Sequence, residues 1–140
     1  GVVMMSPSPS RGHQRIEMRL AYRLMNIFED TPCEPLTELD IKIKNDIFKP
    51  DVMVFCNEEA ELPEIIFEII SPSSKRRDLI IKTAKYEQTG IKEYWIIDPV
   101  HKTITVHDFA NTHTEIYGIS DIIQSKAIPE IIIAVADIFV

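Results

Sequence analysis

The sequence predicts an α+β fold of mixed α/β character, a single domain over residues 1–140 in which one twisted sheet carries packed helices. Three observations predict it. Apolar residues recur at three- and four-residue steps between Arg11 and Phe28, the period of an amphipathic helix. Short runs rich in Ile, Val and Phe follow, at Leu39–Ile43, Asp51–Cys56 and Glu64–Ser71. A second helical stretch from Arg76 to about Thr89 then separates those strands from further strands at Glu93–Asp98 and Thr103–His107.

Each element has its own reason. Gly1-Val2-Val3-Met4-Met5 already reads as a strand, so a segment is expected to precede Gly1 in the natural protein. Ser6-Pro7-Ser8-Pro9-Ser10 is a loop, with Ser10 placed to cap the helix behind it. In that helix Ile16, Leu20, Leu24, Ile27 and Phe28 form the apolar stripe, against a polar face at Arg15, Arg19, Arg23 and Asn26. Asp30-Thr31-Pro32 ends it. Leu39, Ile41 and Ile43 alternate with Asp40 and Lys42, the period of a strand with one wet face, and Asn45-Asp46 marks a turn. Asp51 opens the next strand on the face of Met53 and Phe55. Asn57 to Pro63 is an exposed acidic loop. The strand from Glu64 to Ser71 is apolar enough to be buried on both faces.

Ser71-Pro72-Ser73-Ser74 leads into the second helix, where Gly90 is expected as a left-handed stop. Lys82 shares a face with Asp78, Leu79 and Tyr86 there. Thr103–His107 is the return strand of a hairpin through Pro99–Lys102. His113–Tyr117 and Glu130–Val135 are further strands, and Asp137-Ile138-Phe139 is a terminal turn with Phe139 packed inward.

Composition bounds the function. The chain has 140 residues, is 45% hydrophobic and 26% charged, and carries a net charge of −7, which argues against broad adhesion to nucleic acid or anionic membrane. Lys75-Arg76-Arg77 with Lys82 and Lys85 is the one dense basic cluster, and reads as solvated surface. No apolar run approaches the ~20 residues that span a bilayer. Cys33 and Cys56 show no metal-ligand spacing and are expected as free or buried thiols, which fits a reducing cytoplasm.

Glu68 stands in the middle of an apolar strand, where an ionised carboxylate is costly unless a cation, a metal or hydrogen bonds meet it. Asp51 opens the strand before it, and Lys82 lies in the helix after it. Two carboxylates about 4 Å apart repel by roughly 4 kcal/mol at an effective dielectric near 20, and one lysine offsets part of that. Such a pair holds a proton or binds a divalent cation, and hard oxygen donors suit Mg2+ or Mn2+. Two carboxylates and a backbone carbonyl, with Lys82 nearby, describe metal-assisted phosphodiester hydrolysis.

Lys49-Pro50-Asp51-Val52, Phe67-Glu68-Ile69-Ile70-Ser71-Pro72-Ser73, Asp78 with Lys82 and Tyr86, and Gly90-Ile91-Lys92-Glu93-Tyr94-Trp95-Ile96-Ile97-Asp98-Pro99 together resemble the Uma-two family of endonucleases, within the PD-(D/E)XK superfamily. The likeness covers nearly the whole chain, including Ser6-Pro7-Ser8 with His13 at one end and Ser125 to Phe139 at the other. It implies a restriction-endonuclease-like sheet, with Asp51, Glu68 and the Ile69 carbonyl as metal ligands and Lys82 as catalytic lysine. It also implies DNA as substrate and a homodimer that cuts two strands. One departure stands out: Ile70 occupies the position two after Glu68 where the strict motif has lysine, and Lys82 is the migrated counterpart.

Plainer readings stand beside these. Glu68 is a structural carboxylate, Asp51 a turn-capping acid, and Lys82 a surface lysine paired with Asp78. Glu17 and His13 either reach the site or remain a local pair. His101, His107 and His113 read as surface, and Tyr94 and Trp95 as core or interface. The competing function is a nuclease-fold protein that no longer cuts and serves as a nucleic-acid-binding or assembly module. A purely structural oligomer is the third.

Overall fold

The computed structural model describes residues 3–4 and 9–139, with side chains from residue 9 onward. Gly1, Val2, Met5 and the Ser6–Ser8 part of the expected loop lie outside the described residues. Val3–Met4 (β1) is extended and pairs in parallel with Asp46–Phe48 (β4).

Arg11–Ile27 (α1) is the first helix, and Ser10 caps it by accepting from the His13 N–H at 3.1 Å. Its apolar stripe is buried as the spacing requires: Ile16, Leu20, Leu24 and Phe28 are 6%, 1%, 0% and 5% exposed. Each such side chain contributes about 1.5–3 kcal/mol. Glu34–Thr37 (β2), Ile41–Ile43 (β3), β4, Val52–Phe55 (β5) and Ile65–Ile69 (β6) follow, then the second helix Arg76–Glu87 (α2). Glu93–Asp98 (β7), Thr103–Asp108 (β8), His113–Tyr117 (β9), Ile122–Gln124 (β10), Ile132–Ala134 (β11) and the short helix Val135–Phe139 (α3) complete the chain.

The main sheet has six strands in the order β2-β5-β6-β7-β8-β9. Within this sheet only the β6–β7 pair is parallel, because α2 carries the chain across between them. One face of the sheet packs on α1, α3 and the β10–β11 ribbon around Val52, Val54, Phe67, Trp95 and Ile97. The other packs on α2 and the β3–β4 hairpin around Met53, Phe55, Ile66, Tyr86 and Tyr94. Asp51 stands one residue before β5; alternation alone would put it on the face of Met53 and Phe55, but at the strand's end its carboxylate reaches the Ile69 N–H and His13 of α1.

Three expectations need correction, and one strand, β2, was not expected. Strand β2 was hidden by Pro35, which is tolerated because β2 is a sheet edge. Asp46 opens a strand, and the turn is Lys44-Asn45, with Lys44 at φ 56°. Gly90 is not left-handed; no described glycine has positive φ, and Gln88 and Thr89 close α2 on the Ala84 and Tyr86 carbonyls. Cys33 and Cys56 are not free: they form a disulfide, facing each other one step beyond the Glu34–Phe55 pair of β2 and β5. That removes the support they lent to a reducing compartment. No described helix is long and apolar enough to cross a membrane.

Candidate active site

The crossover from β6 through α2 to β7 decides where the buried charges meet. Glu68 lies near the end of β6, 2% exposed, on the face turned to α2. Lys82, one turn and a half into α2, is itself only 6% exposed and donates from Nζ to Glu68 Oε1 at 3.3 Å. Tyr94 on β7 donates its hydroxyl to Oε2 at 2.5 Å. Burial raises the Glu68 carboxyl above its ordinary pKa, and Lys82 and Tyr94 pull it back. Burial likewise holds both Tyr86 and Tyr94 well above the usual phenol range. The Tyr86 hydroxyl, wholly buried, makes no hydrogen bond of good geometry among the described residues, although the Glu68 carboxylate lies near enough to push its pKa up.

Asp51 connects this pair to the first helix. Its Oδ2 accepts the Ile69 N–H at 2.7 Å, and its Oδ1 lies 3.1 Å from His13 Nε2. The N–H and C=O of one strand residue point to the same side. The Ile69 carbonyl therefore also faces β5. Extending the Val52–Phe67 register by two residues brings Ile69 opposite Pro50, which has no N–H to offer that carbonyl. The Pro-Asp dipeptide thus leaves a backbone oxygen free of the ladder and supplies a carboxylate beside it.

On α1, His13 and Glu17 are four residues apart and share the face turned inward. His13 Nε2 is 3.7 Å from Glu17 Oε1, and Glu17 is 8% exposed. Hydrogen bonds to Asp51 and then Glu17 raise the His13 pKa to about 10, so the imidazole carries a proton at neutral pH. One donor atom each from His13, Glu17 and Asp51 lies within 4.8 Å of the others. Glu38 adds a fourth acid. Its N–H donates to the Asp51 carbonyl at 3.2 Å, its φ is 51°, and the charge of Glu17 pushes its carboxyl pKa up.

Counted at full charge, the four acids Glu17, Glu38, Asp51 and Glu68 outnumber the three cations His13, Lys82 and Lys49, the last of which acts on Glu38, by one. A proton on Glu68 or Glu38, or a dication, would relieve that excess. The donors fit a hard divalent ion: carboxylate oxygens, one strand carbonyl free of the ladder, and one imidazole nitrogen.

Of the residues expected from sequence, Glu68 and Lys82 are in contact, and Asp51 bonds the residue next to Glu68 in the chain. Asp78 is exposed and does not pair with Lys82. Ile70 is bound into the sheet through its N–H to the Ile97 carbonyl. His13 and Glu17, left open by the sequence, both reach Asp51's side of the site. Tyr94 and Trp95 are core rather than interface, and Trp95 spends its indole N–H on buried Glu93. His107 is half-buried, stacked between Tyr94 and Phe109, not a surface residue. Sequence reasoning missed Tyr94 and Glu38 as neighbours of the site. Strand register alone brings Tyr94 there, and a residue with positive φ in a loop gives Glu38 no readable pattern.

The model of a family described as "Uma2: Putative restriction endonuclease" matches residues 1–136. Among solved structures, a "putative nuclease belonging to DUF820" from Anabaena variabilis superposes with a TM-score of 0.83 at 19% identity, over 96% of this chain and 83% of that one. Identity that low shows a shared fold. No curated protein matches the chain.

Proposed function

The chain belongs to the Uma2 family, and from that premise we propose that it is a divalent-metal-dependent endonuclease hydrolysing DNA phosphodiester bonds. The observation that carries the reading is the buried Lys82–Glu68 pair at the strand end where Asp51 accepts the Ile69 N–H and groups with His13 and Glu17. A structural ion pair needs neither the second acid nor the surplus of negative charge.

Asp51, Glu68 and the Ile69 carbonyl would hold the cation, Mg2+ or Mn2+, with Glu17 and His13 at its flank. A bound dication would supply Lewis-acid polarisation of a phosphoryl oxygen and a more acidic water. The protein's own groups do the rest. The Ile69 N–H fixes the Asp51 carboxylate. Tyr94 holds one Glu68 oxygen and so orients the other toward Lys82. The Lys82 amine, on a stem buried against the sheet, orients the attacking water and stabilises charge growing on the phosphate. Two copies of one such site suit the cutting of two strands.

Purified protein should nick supercoiled DNA with Mg2+ or Mn2+ and not with chelator, and Glu68→Ala should abolish nicking. Undiminished cutting by that variant would overturn the assignment. One observation favours the non-cutting alternative: both Glu68 oxygens already have protein partners. Calorimetry separates the two, because a binding module would take up neither metal at millimolar concentration.

A further inference from the structure

The outer face of α1 carries a stripe that the site does not use. Arg11, Arg15, Met18, Tyr22, Met25 and Glu29 follow one another at alternating steps of four and three, the a/d spacing of a helix that packs on another helix. Met18, Tyr22 and Met25 are 69%, 67% and 64% exposed, although the opposite face of the same helix is core. Glu29 stands in the turn that closes α1 and is exposed. The stripe has a polarity: cations at its start, three large apolar side chains in the middle, an acid at its end. Arg11, Arg15 and Glu29 have no ion-pair partner among the described residues.

We infer that this stripe is a self-association surface, on which α1 packs antiparallel against α1 of a second copy about a two-fold axis near Leu20. That register sets Arg11 against Glu29 of the other copy, and Met18 against its Tyr22. It sets Met25 over the space between Arg11, Gln14, Arg15 and Met18. A shallow groove of about 410 Å³ lies there, lined by those four residues and Arg19. Positions i, i+3, i+4 and i+7 are the four that form a hole for an incoming knob. A parallel pairing would align arginine with arginine, so the charge pattern selects the antiparallel one. An isologous contact repeats each pair twice, which doubles the effect of every charge. His13 and Glu17 lie on the inner face of the same helix, so each candidate active site backs directly onto the interface. The surface stands on the helix and does not depend on the nuclease reading.

Sedimentation velocity on the full chain tests it. The wild type should pass from monomer to dimer as its concentration rises through the micromolar range. Tyr22→Glu should weaken the dimer by about tenfold or more, as for an aromatic anchor at the centre of an interface. Its circular dichroism should not change, since Tyr22 is exposed. Met25→Lys should weaken the dimer likewise. Arg11→Glu and Glu29→Arg should each weaken it alone, and mixing the two single variants should restore it as a heterodimer. A monomer at every concentration, or a dimer indifferent to Tyr22→Glu and Met25→Lys, would overturn the inference. So would failure of the mixed variants to recover. Loss of DNA binding by Arg11→Glu with sedimentation unaltered would assign the stripe to nucleic acid instead. The nicking assay with Glu68→Ala reads the catalytic proposal separately, whatever the sedimentation result.

Discussion

Lys82 Nζ lies 3.3 Å from Glu68 Oε1, and both side chains are withdrawn from water, at 6% and 2% residue exposure. The two residues are consecutive features of one crossover: the strand delivers the acid, and the helix that follows returns the amine. Breaking such a pair from one side leaves an uncompensated buried charge, at about 3–5 kcal/mol. Lys82→Met should therefore destabilise the fold by roughly 3 kcal/mol, near the lower end of that range because Glu68 can take up a proton. Glu68→Gln should cost less, since the amide oxygen still accepts from Lys82 or Tyr94. Urea unfolding at pH 7 measures both, and both variants should fail to cut DNA.

The two tyrosines around Glu68 should respond in opposite ways. Tyr94→Phe removes a 2.5 Å bond and leaves a buried carboxylate oxygen short of a donor, a cost of about 1–3 kcal/mol. Tyr86→Phe removes a buried hydroxyl that makes no hydrogen bond of good geometry among the described residues, so it should be neutral or stabilising. Thermal unfolding of the two variants side by side gives the sign of each. Equal losses would mean that the Tyr86 hydroxyl has a partner after all.

His13 makes stability depend on pH in a defined window. Its pKa is raised from 6.5 in the unfolded chain to about 10 in the fold, so the folded state holds the proton more tightly. The stabilisation is fully present below pH 6.5 and is lost as pH rises toward 10. Denaturation midpoints should fall across that window in the metal-free wild type. In His13→Gln the decline should be shallower. Metal binding at this nitrogen would displace the proton, so calorimetry in buffers of different ionisation enthalpy should show proton release on Mn2+ addition.

The disulfide closes a segment of 23 residues between the end of α1 and the end of β5. Loop-closure entropy for that length is worth about 3 kcal/mol. Reductant should lower the urea midpoint of the wild type by a corresponding amount and leave Cys33→Ser unaffected.

Much of this protein is legible in its residues alone. The three-and-four spacing from Ile16 to Phe28 specifies α1 because a helix returns a side chain to the same side every 3.6 residues. The unbroken apolar run around Glu68 specifies a strand buried on both faces. A carboxylate inside such a run announces a partner, and Asp51 and Lys82 were the residues in reach. Strand β2 escaped because Pro35 breaks the local pattern, and only its place at the sheet edge makes the proline harmless. Which atoms meet was decided by tertiary structure. Tyr94 reaches Glu68 through the parallel register of β6 and β7, and His13 and Glu17 reach Asp51 because α1 crosses the end of β5. Cys33 meets Cys56 because β2 pairs with β5. Periodicity fixes the side a residue faces on its own element; pairing between elements distant in the chain sets what it touches, and no local pattern encodes that pairing.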